Sequence, residues 1–509
     1  LQNVEKADKI VELAKRRGFF WPSYEIYGGV SGFVTFGPLG SVLKRRIEDK
    51  FRAFYTRPLG IMEIESSVIL PSKVFEASGH VEHFKEPLTE CTNCKRKFRA
   101  DHLLQEQAKM SDTETEKLSL TELKSEIDKR KVRCPECNGI LGEPKHFMTM
   151  FTTTIGPYSN AVGYGRPEAA QSIFVEFRRL WELARERLPF GIVQIGHALR
   201  NEISPRQGPI RLREFTIMDV EFFFDPEEPN CTQLKDVENE TLQLVRAEAK
   251  LKGEKEPITV TVKEALQKGY IKTEWHAYFM ALAKRFLREL GVPDEKQRFM
   301  EKLDWEKAHY SAQSFDQEIH LERWGWTEVS GHAYRTDYDL KKHMEFSGVD
   351  MRAFKEGRRF IPQVVEPSFG SDRLAYIVVE FAYQAKKDRA VLCLPRELSP
   401  VQVGVYPLVS KDGLPEKALQ LYQALVKEGF AVEYDESGSI GRRYARADEA
   451  GTPLGITIDY DTLKDKAVTI RDRDSWKQVR TPIDQLAGLL TDYFLHKKEF
   501  EELGRLIKG

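Results

Sequence analysis

The sequence predicts an α+β core followed by a separate α/β domain, and three observations lead there. Apolar residues at 192–195 and a run at 215–224 read as two strands joined by a polar loop, the pattern of an antiparallel hairpin. After Pro395 the pattern becomes strand (401–405), helix (416–427), strand (431–434), helix (442–449) and two strands (454–458, 467–470), an alternation that marks an independent α/β unit. Two polar blocks, 86–146 and 226–320, differ in composition from their flanks and read as insertions. The expected units are therefore an interrupted core at 1–85, 147–225 and 321–395, a Cys-rich insertion at 86–146, a charged helical insertion at 226–320, and a C-terminal domain at 396–509.

Taken in order, residues 1–20 carry Ile10, Val11 and Leu13 at the spacing of one helical face. GFVTFGPLG at 32–40 reads as a strand and a Pro-Gly turn, and Leu43, Ile47, Phe51 and Phe54 then recur at helical spacing. That apolar face packs against its own chain or against a second copy; sequence alone leaves both open. In the first insertion CTNC (91–94) and CPEC (134–137) flank a charged helical stretch. Two Cys-x-x-Cys knuckles supply four thiolates, Cys91, Cys94, Cys134 and Cys137, for a tetrahedral zinc ion; thiols without a metal are the alternative. Cys231 and Cys393 are isolated and read as inert. The second insertion holds the helical EWHAYFMALAKRFLREL and the strand-like PITVTV. The core resumes with GWTEVSGHAYRTDYDLKKH, and IPQVVEPSFGSDRLAYIVVEFAY then ends in a helix carrying Leu374, Ile377 and Val378.

Composition narrows the function. With 41% hydrophobic and 31% charged residues, the chain has the balance of a globular protein. Lys+Arg 78 against Asp+Glu 79 leaves a net charge of -1, which excludes a generic polyanion binder and confines any nucleic-acid surface to local clusters such as Lys44–Arg46, Lys95–Arg99 and Arg442, Arg443 and Arg446. The N-terminal residues lack the apolar core of a signal peptide, and no window reaches the length of a membrane span, so a cytoplasmic location and no membrane contact are expected.

The chemistry concentrates in HALRNEISPRQGPIRLREFTIMDVEF, residues 197–222. Guanidinium forks at Arg200, Arg211 and Arg213 match phosphate oxygens, Glu202 can accept from an adenine amino group, and Phe215 can stack on the base, so the hairpin reads as a nucleoside triphosphate grip. A charged surface hairpin is the plainer alternative for Arg-Asn-Glu taken alone.

Three blocks in order, GFVTFGPLG plus helix, RNEISPRQGPIRLREF and EPSFGSDRLAY, resemble motifs 1, 2 and 3 of the class II aminoacyl-tRNA synthetases. Within that class WPSYEIYGG (21–29), RADHLL (99–104), RPEAAQSIF (166–174), GWTEVSGHAYRTDYDL (325–340) and EPSFG (366–370) are similar to the homodimeric glycyl-tRNA synthetase family, and GSIGRRYARADEAGTP extends the likeness into a class IIa anticodon-binding domain. The resemblance implies an antiparallel sheet flanked by helices, motif 1 at a dimer interface, a five-stranded C-terminal α/β domain, and ligation of glycine to tRNA(Gly) with ATP and Mg²⁺.

It also implies roles. Arg200 and Arg373 are the catalytic pair, Arg200 on the α-phosphate and Arg373 on adenine and phosphate; Asn201, Glu202, Arg211, Leu212, Phe215, Glu328 and Val329 complete the ATP site, with Arg211 at the distal phosphates and Glu328 at ATP or its magnesium. Glu168, Asp219, Glu366, Pro367 and Ser368 fall at the glycine site, where acids face the ammonium. The chain departs from the family pattern at Ala169, Ser172, Asp219, Tyr334, Ser371 and Gly455, where Thr, Gly, Glu, Asp, an apolar residue and Cys are usual. Tyr334 places a phenol where an acid would stand beside Arg335. Another class IIa synthetase, or a non-catalytic nucleic-acid-binding relative, is the competing reading; the latter would lose the arginines that this chain keeps.

Overall fold

The computed structural model describes residues 2–115, 117–157, 161–203, 208–386 and 389–507. The tip of the arginine-rich loop, 204–207, lies outside them. At the centre is a nine-stranded sheet built from β1 (Met62–Ile64), β2 (Phe190–Leu199), β3 (Glu214–Phe224), β4 (Thr241–Val245), β5 (Ile258–Thr261), β6 (Gln297–Glu301), β7 (Gln313–Leu321), β8 (Gly325–Thr336) and β9 (Gln363–Gly370). Their spatial order is β5-β4-β6-β7-β8-β9-β3-β2-β1. The pairings β1–β2 and β4–β6 are parallel and the rest antiparallel, so the expected antiparallel sheet is a mostly antiparallel one.

Strand alternation divides labour between the two faces. On β3, Met218, Val220, Phe222 and Phe224 join the main core, while Phe215, Ile217, Asp219 and Phe223 belong to the opposite side. On β9, Val365 and Phe369 face the main core, and Glu366 and Ser368 face a cavity. Three helices cover the core side: α2 (Pro38–Phe51), α3 (Glu274–Glu289) and α4 (Ser371–Ala382), the last buried along nearly its whole length. Phe51, Phe286 and Phe369 meet edge-on with ring centres 5.4 to 5.6 Å apart and tie two of these helices to β9. Gly40 in α2 allows close approach to the bend that follows the N-terminal helix, since a Cβ there would lie 1.7 Å from the Phe19 carbonyl oxygen. Leu43, Ile47 and Phe51 are all buried within the chain, which assigns this apolar face to internal packing.

The 226–320 block is not simply helical. It contributes one long helix, α3, and strands β4 to β7, which extend the central sheet, and its far limit falls inside the tight β7–β8 hairpin. High charge disguised the strands: Arg298 on β6 pairs with Glu318 opposite it on β7 at 2.7 Å, and Glu301 holds Arg246 at 2.9 Å, so the charges lie on sheet surfaces as cross-strand partners. The Cys-rich block forms a three-stranded sheet (Lys85–Glu90, Lys97–Arg99, Lys145–Met148) with its own small core of Cys91, Leu103, Leu104, Leu123 and Ile127.

The C-terminal unit has six strands rather than five: β10 (Val403–Pro407), β11 (Val432–Tyr434), β12 (Leu454–Ile458), β13 (Ala467–Asp472), β14 (Gln478–Pro482) and the short β15 (Arg505–Leu506), ordered β11-β10-β12-β13-β14-β15. Helices α5 (Leu414–Lys427), α6 (Ile440–Ala450) and α7 (Ile483–Phe494) accompany them. The N-terminal helix α1 (Gln2–Arg17) docks on this unit through Arg16 and Arg17, which both reach Glu449 of α6. Among the described residues no helix is long and apolar enough to cross a membrane.

Candidate active site

A cavity of about 550 Å³ opens on the face of the sheet away from α2 and α3, with Arg373 from the start of α4 at its edge. Arg200, Glu202, Arg211, Leu212, Phe215, Glu328, Val329, Arg373, Glu168, Glu366 and Ser368 all line it, although they span more than two hundred positions of sequence. Asn201, Asp219 and Pro367 do not line it. The backbone amide of Asn201 donates to the Thr149 carbonyl at 2.6 Å, and Pro367 pairs with His332 one residue out of phase with Glu366 and Ser368. Asp219 is fully buried behind the wall.

The arginines converge because β2 and β3 form one hairpin and β9 is paired with β3. Arg200 donates from Nε to the Pro167 carbonyl at 3.0 Å and holds its guanidinium 5.5 Å from the centre of the Phe215 ring. Arg373, in the first turn of α4, donates to the carbonyls of Ile210 (3.0 Å) and Glu328, which fixes its fork against the hairpin. Arg211 and Glu202 neutralise each other at 2.6 Å. Arg213 points elsewhere: it donates to the Glu202 carbonyl at 2.9 Å and to that of Ser31, and so braces the loop rather than the cavity.

Several polar residues here were missed in the sequence, two of them charged partners of each other. Lys302 and Asp316 line the cavity 3.0 Å apart, beside Glu328. Burial and the nearby Glu328 carboxylate push the Asp316 carboxyl up to about 7. Burial acts the same way on Glu328, but Lys302, Arg373, Arg200 and Arg211 outweigh it and hold that carboxyl low. Recognition of 313–321 as an alternating strand would have placed Asp316 beside Gly331 on β8 and hence in the cavity.

At the other end lies a buried acid cluster organised by Arg335. Its guanidinium, with no exposed surface, bonds Asp339 through Nε (2.8 Å) and a terminal nitrogen (2.9 Å), Glu366 at 2.9 Å and Glu168 at 3.4 Å, and lies 3.6 Å from the centre of the Tyr310 ring. Glu168 also meets His80 Nε2 at 3.2 Å. Burial favours the neutral form of Glu168, yet His80 and Arg335 overcome it and the carboxyl sits well below its usual range. Glu366 is pushed up to about 7 by burial, with Glu168 and Asp219 adding to the shift and Arg335 opposing it. Asp219, up to about 6 by burial, accepts from the Ala169 amide at 2.8 Å and from the Ser368 hydroxyl. The shorter acid thus orients two pieces of the wall. Glu221 is buried one strand period further on, and neither of its oxygens has a hydrogen-bond partner among the described residues.

Tyr334 does not disturb this arrangement. Its hydroxyl donates to Gln363, and its ring packs 6.4 Å from that of Phe224 on the opposite side of β8, while Asp339, one helical turn on, clamps Arg335. Ser172, in the place of a Gly, is buried with its hydroxyl 3.5 Å from Arg166.

Away from the cavity, the four cysteine sulfurs lie within 4.8 Å of one another, with Cys91–Cys137 at 3.5 Å and Cys94–Cys134 at 3.6 Å. These separations are far beyond a disulfide and close to the ~3.8 Å that four thiolates adopt around a tetrahedral zinc ion. Gly139 leaves room for them: a Cβ there would meet the sulfur of Cys91 at 2.9 Å. The donor set and its cradle fit the metal. The basic cluster at 442–446 is mostly structural, because Arg443 is buried and donates to the carbonyls of Pro407, Glu436 and Gly438, and Arg446 is paired with Asp435.

Residues 402–493 match the family model of the anticodon binding domain. Over nearly its full length the chain is similar to the glycine–tRNA ligase of Aeropyrum pernix, 44% identical across 98% of this chain and 99% of that one. The same enzymes of Methanocaldococcus jannaschii (41% identical; 95% and 98% covered) and Pyrococcus furiosus (41%; 96% and 99%) are similar as well.

Arg335 is the only cation hydrogen-bonded to three carboxylates of the cluster among the described residues, so Arg335→Met is expected to cost about 3–5 kcal/mol of stability in urea denaturation at neutral pH. Without the cation the acids retain protons in the folded state only, so the loss shrinks as pH falls toward 5 and grows as it rises. A variant as stable as the parent at neutral pH would show that the acids do not need Arg335.

Proposed function

The chain belongs to the glycine–tRNA ligase family, and from that premise we propose that it activates glycine with ATP and transfers the glycyl group to the 3′ end of tRNA(Gly). The observation that carries this reading is the meeting of a cationic end and an acidic end in one cavity. Arg200, Arg211 and Arg373 receive the bent triphosphate, Phe215 and Arg373 enclose adenine, and Glu202 accepts from its amino group. The ammonium of glycine lies against Glu168 and Glu366, with Ser368 held in place by Asp219. Mg²⁺ arrives with ATP; the low carboxyl of Glu328 suits a hard cation, which supplies neutralising charge on the phosphates.

The reaction needs no protein nucleophile. A carboxylate oxygen of glycine attacks the α-phosphorus, the bond to the bridging oxygen breaks, and pyrophosphate leaves with that electron pair. The terminal ribose hydroxyl of tRNA then attacks the glycyl carbonyl, loses its proton, and AMP departs. Preorganised arginines stabilise charge that builds on the phosphoryl oxygens. Selection against larger amino acids follows from stiffness: lost attraction alone separates a methyl group by only about 1–3 kcal/mol, whereas a wall locked by Arg335 and its acids answers a methyl group with overlap.

The remaining parts fit the same reading. Residues 1–85, 147–225 and 321–395 carry the catalytic core, 226–320 widens its sheet, 86–146 is stapled by zinc at Cys91, Cys94, Cys134 and Cys137, and 396–509 reads the anticodon, with the enzyme at work in the cytoplasm. The enzyme is a homodimer. The apolar side chains of Tyr24, Ile26 and Tyr27, 53%, 87% and 84% exposed, support a covered surface near motif 1, distinct from the buried face of α2.

Pyrophosphate exchange into ATP, run across amino acids, is expected with glycine only, and Arg200→Ala is expected to lose about two or more orders of magnitude; exchange with another amino acid, or near-normal exchange in the variant, would overturn these roles. Because an ionised Glu366 must face the ammonium and its carboxyl stands near 7, KM for glycine should climb as pH drops from 8 to 6, by up to about tenfold per unit. A flat profile would remove Glu366 from the amine subsite. Elemental analysis should find about one zinc per chain, absent in Cys137→Ser, and sedimentation should give twice the chain mass; a metal-free or monomeric active enzyme would refute the corresponding part.

A further inference from the structure

Helix α2 reaches the cavity through a polar staple that the proposed chemistry does not use. Lys44 and Glu48, one helical turn apart on the same face of α2, meet the consecutive residues Asp372 and Ser371 at the start of α4. Lys44 Nζ donates to Asp372 at 3.0 Å and to the Thr216 hydroxyl at 2.7 Å; the other Asp372 oxygen accepts from the Thr216 amide at 2.5 Å; and the Ser371 hydroxyl donates to Glu48 at 2.8 Å. Asp372 and Ser371 are buried, and the side chain of Lys44 is only 15% exposed. Each node adjoins a residue assigned to ATP: Thr216 follows Phe215, and Asp372 precedes Arg373. Lys44 and Glu48 do not line the active-site cavity but a separate groove beside it, so neither touches substrate.

We infer that Lys44, with Glu48 and Ser371, is a positioning residue of the activation step: the staple fixes β3 and the first turn of α4 relative to each other, and thereby sets the spacing between the Phe215 ring and the Arg373 guanidinium that enclose the base. The inference rests on the ligase reading for the identity of the ligand. A buried ion pair is a poor source of net stability, since desolvation of both charges offsets most of their attraction, but it is satisfied in one geometry only. That property suits a spacer. Ser371 stands where the family usually has an apolar residue, and its hydroxyl supplies the partner that Glu48 requires here.

The test compares Lys44→Met, Lys44→Arg and Ser371→Ala with the parent enzyme in glycine-dependent exchange, with melting temperature and chain mass recorded for each. Lys44→Met is expected to raise KM for ATP about fivefold and to lower kcat about tenfold, while KM for glycine stays within about twofold, because displacement of positioned groups acts only on the ligand they hold. Lys44→Arg should recover most of the loss, and Ser371→Ala should show a smaller shift in the same direction. A Lys44→Met enzyme that melts lower yet keeps all three constants, or one in which both KM values rise together, overturns the inference and leaves the staple a structural tie; should that variant fail to fold, Ser371→Ala decides on the same criteria. Parent enzyme without glycine-dependent exchange would instead overturn the ligase reading. ATP binding measured by calorimetry then decides the staple, which requires weaker binding in Lys44→Met.

Discussion

The structure depends on one buried cation. Arg335 sits among Glu168, Asp339 and Glu366 with no exposed surface, and the acid end of the cavity exists as a defined shape only because that guanidinium is there. Carboxylates in such a place would otherwise take up protons or swing toward water. Arg335 leaves them unequal: Glu168, beside both Arg335 and His80, keeps its charge, while Glu366 is poised near neutrality. On the proposed reading, the ammonium of glycine supplies further positive charge against Glu168 and Glu366.

How much of this was legible in the sequence differed by element. The Arg200–Phe215 hairpin was readable because residue type and spacing carry its chemistry, while Arg373, Glu168, Glu366 and Ser368 were reached only through the family resemblance, and the geometry brings all of them to one cavity. Lys302 and Asp316 were not readable, because they come from strands hidden in a block whose charge suggested exposed helix; cross-strand ion pairs account for that charge without it. The family resemblance set Asp219 and Pro367 at the glycine site; strand alternation turns Pro367 away from Glu366 and Ser368, whereas Asp219 shares the cavity side of its strand with Phe215 and Ile217 but is buried there, its carboxylate committed to the Ala169 amide and the Ser368 hydroxyl. Tyr334 looked disruptive beside Arg335 for the same reason: adjacency in a strand is opposition in space.

The same lesson holds for the basic clusters. Lys44, Arg443 and Arg446 are each committed to carboxylates or backbone carbonyls inside the fold, so a run of positive residues in the sequence was no measure of a surface available to RNA. What a linear reading supplies is the inventory of charges. Which of them remain unspent is decided by packing.

The Arg211–Glu202 contact illustrates what such commitment means for ligand choice in the proposed ATP site. With the two side chains paired, a lone phosphate or pyrophosphate that takes the guanidinium leaves the mostly buried Glu202 carboxylate without its partner and offers nothing in exchange. The ATP of the proposed reaction brings both replacements at once, oxygens for the guanidinium and an exocyclic amine for the carboxylate. On that reading the pair is a latch with two keyholes, and a simple anion carries only one of the keys.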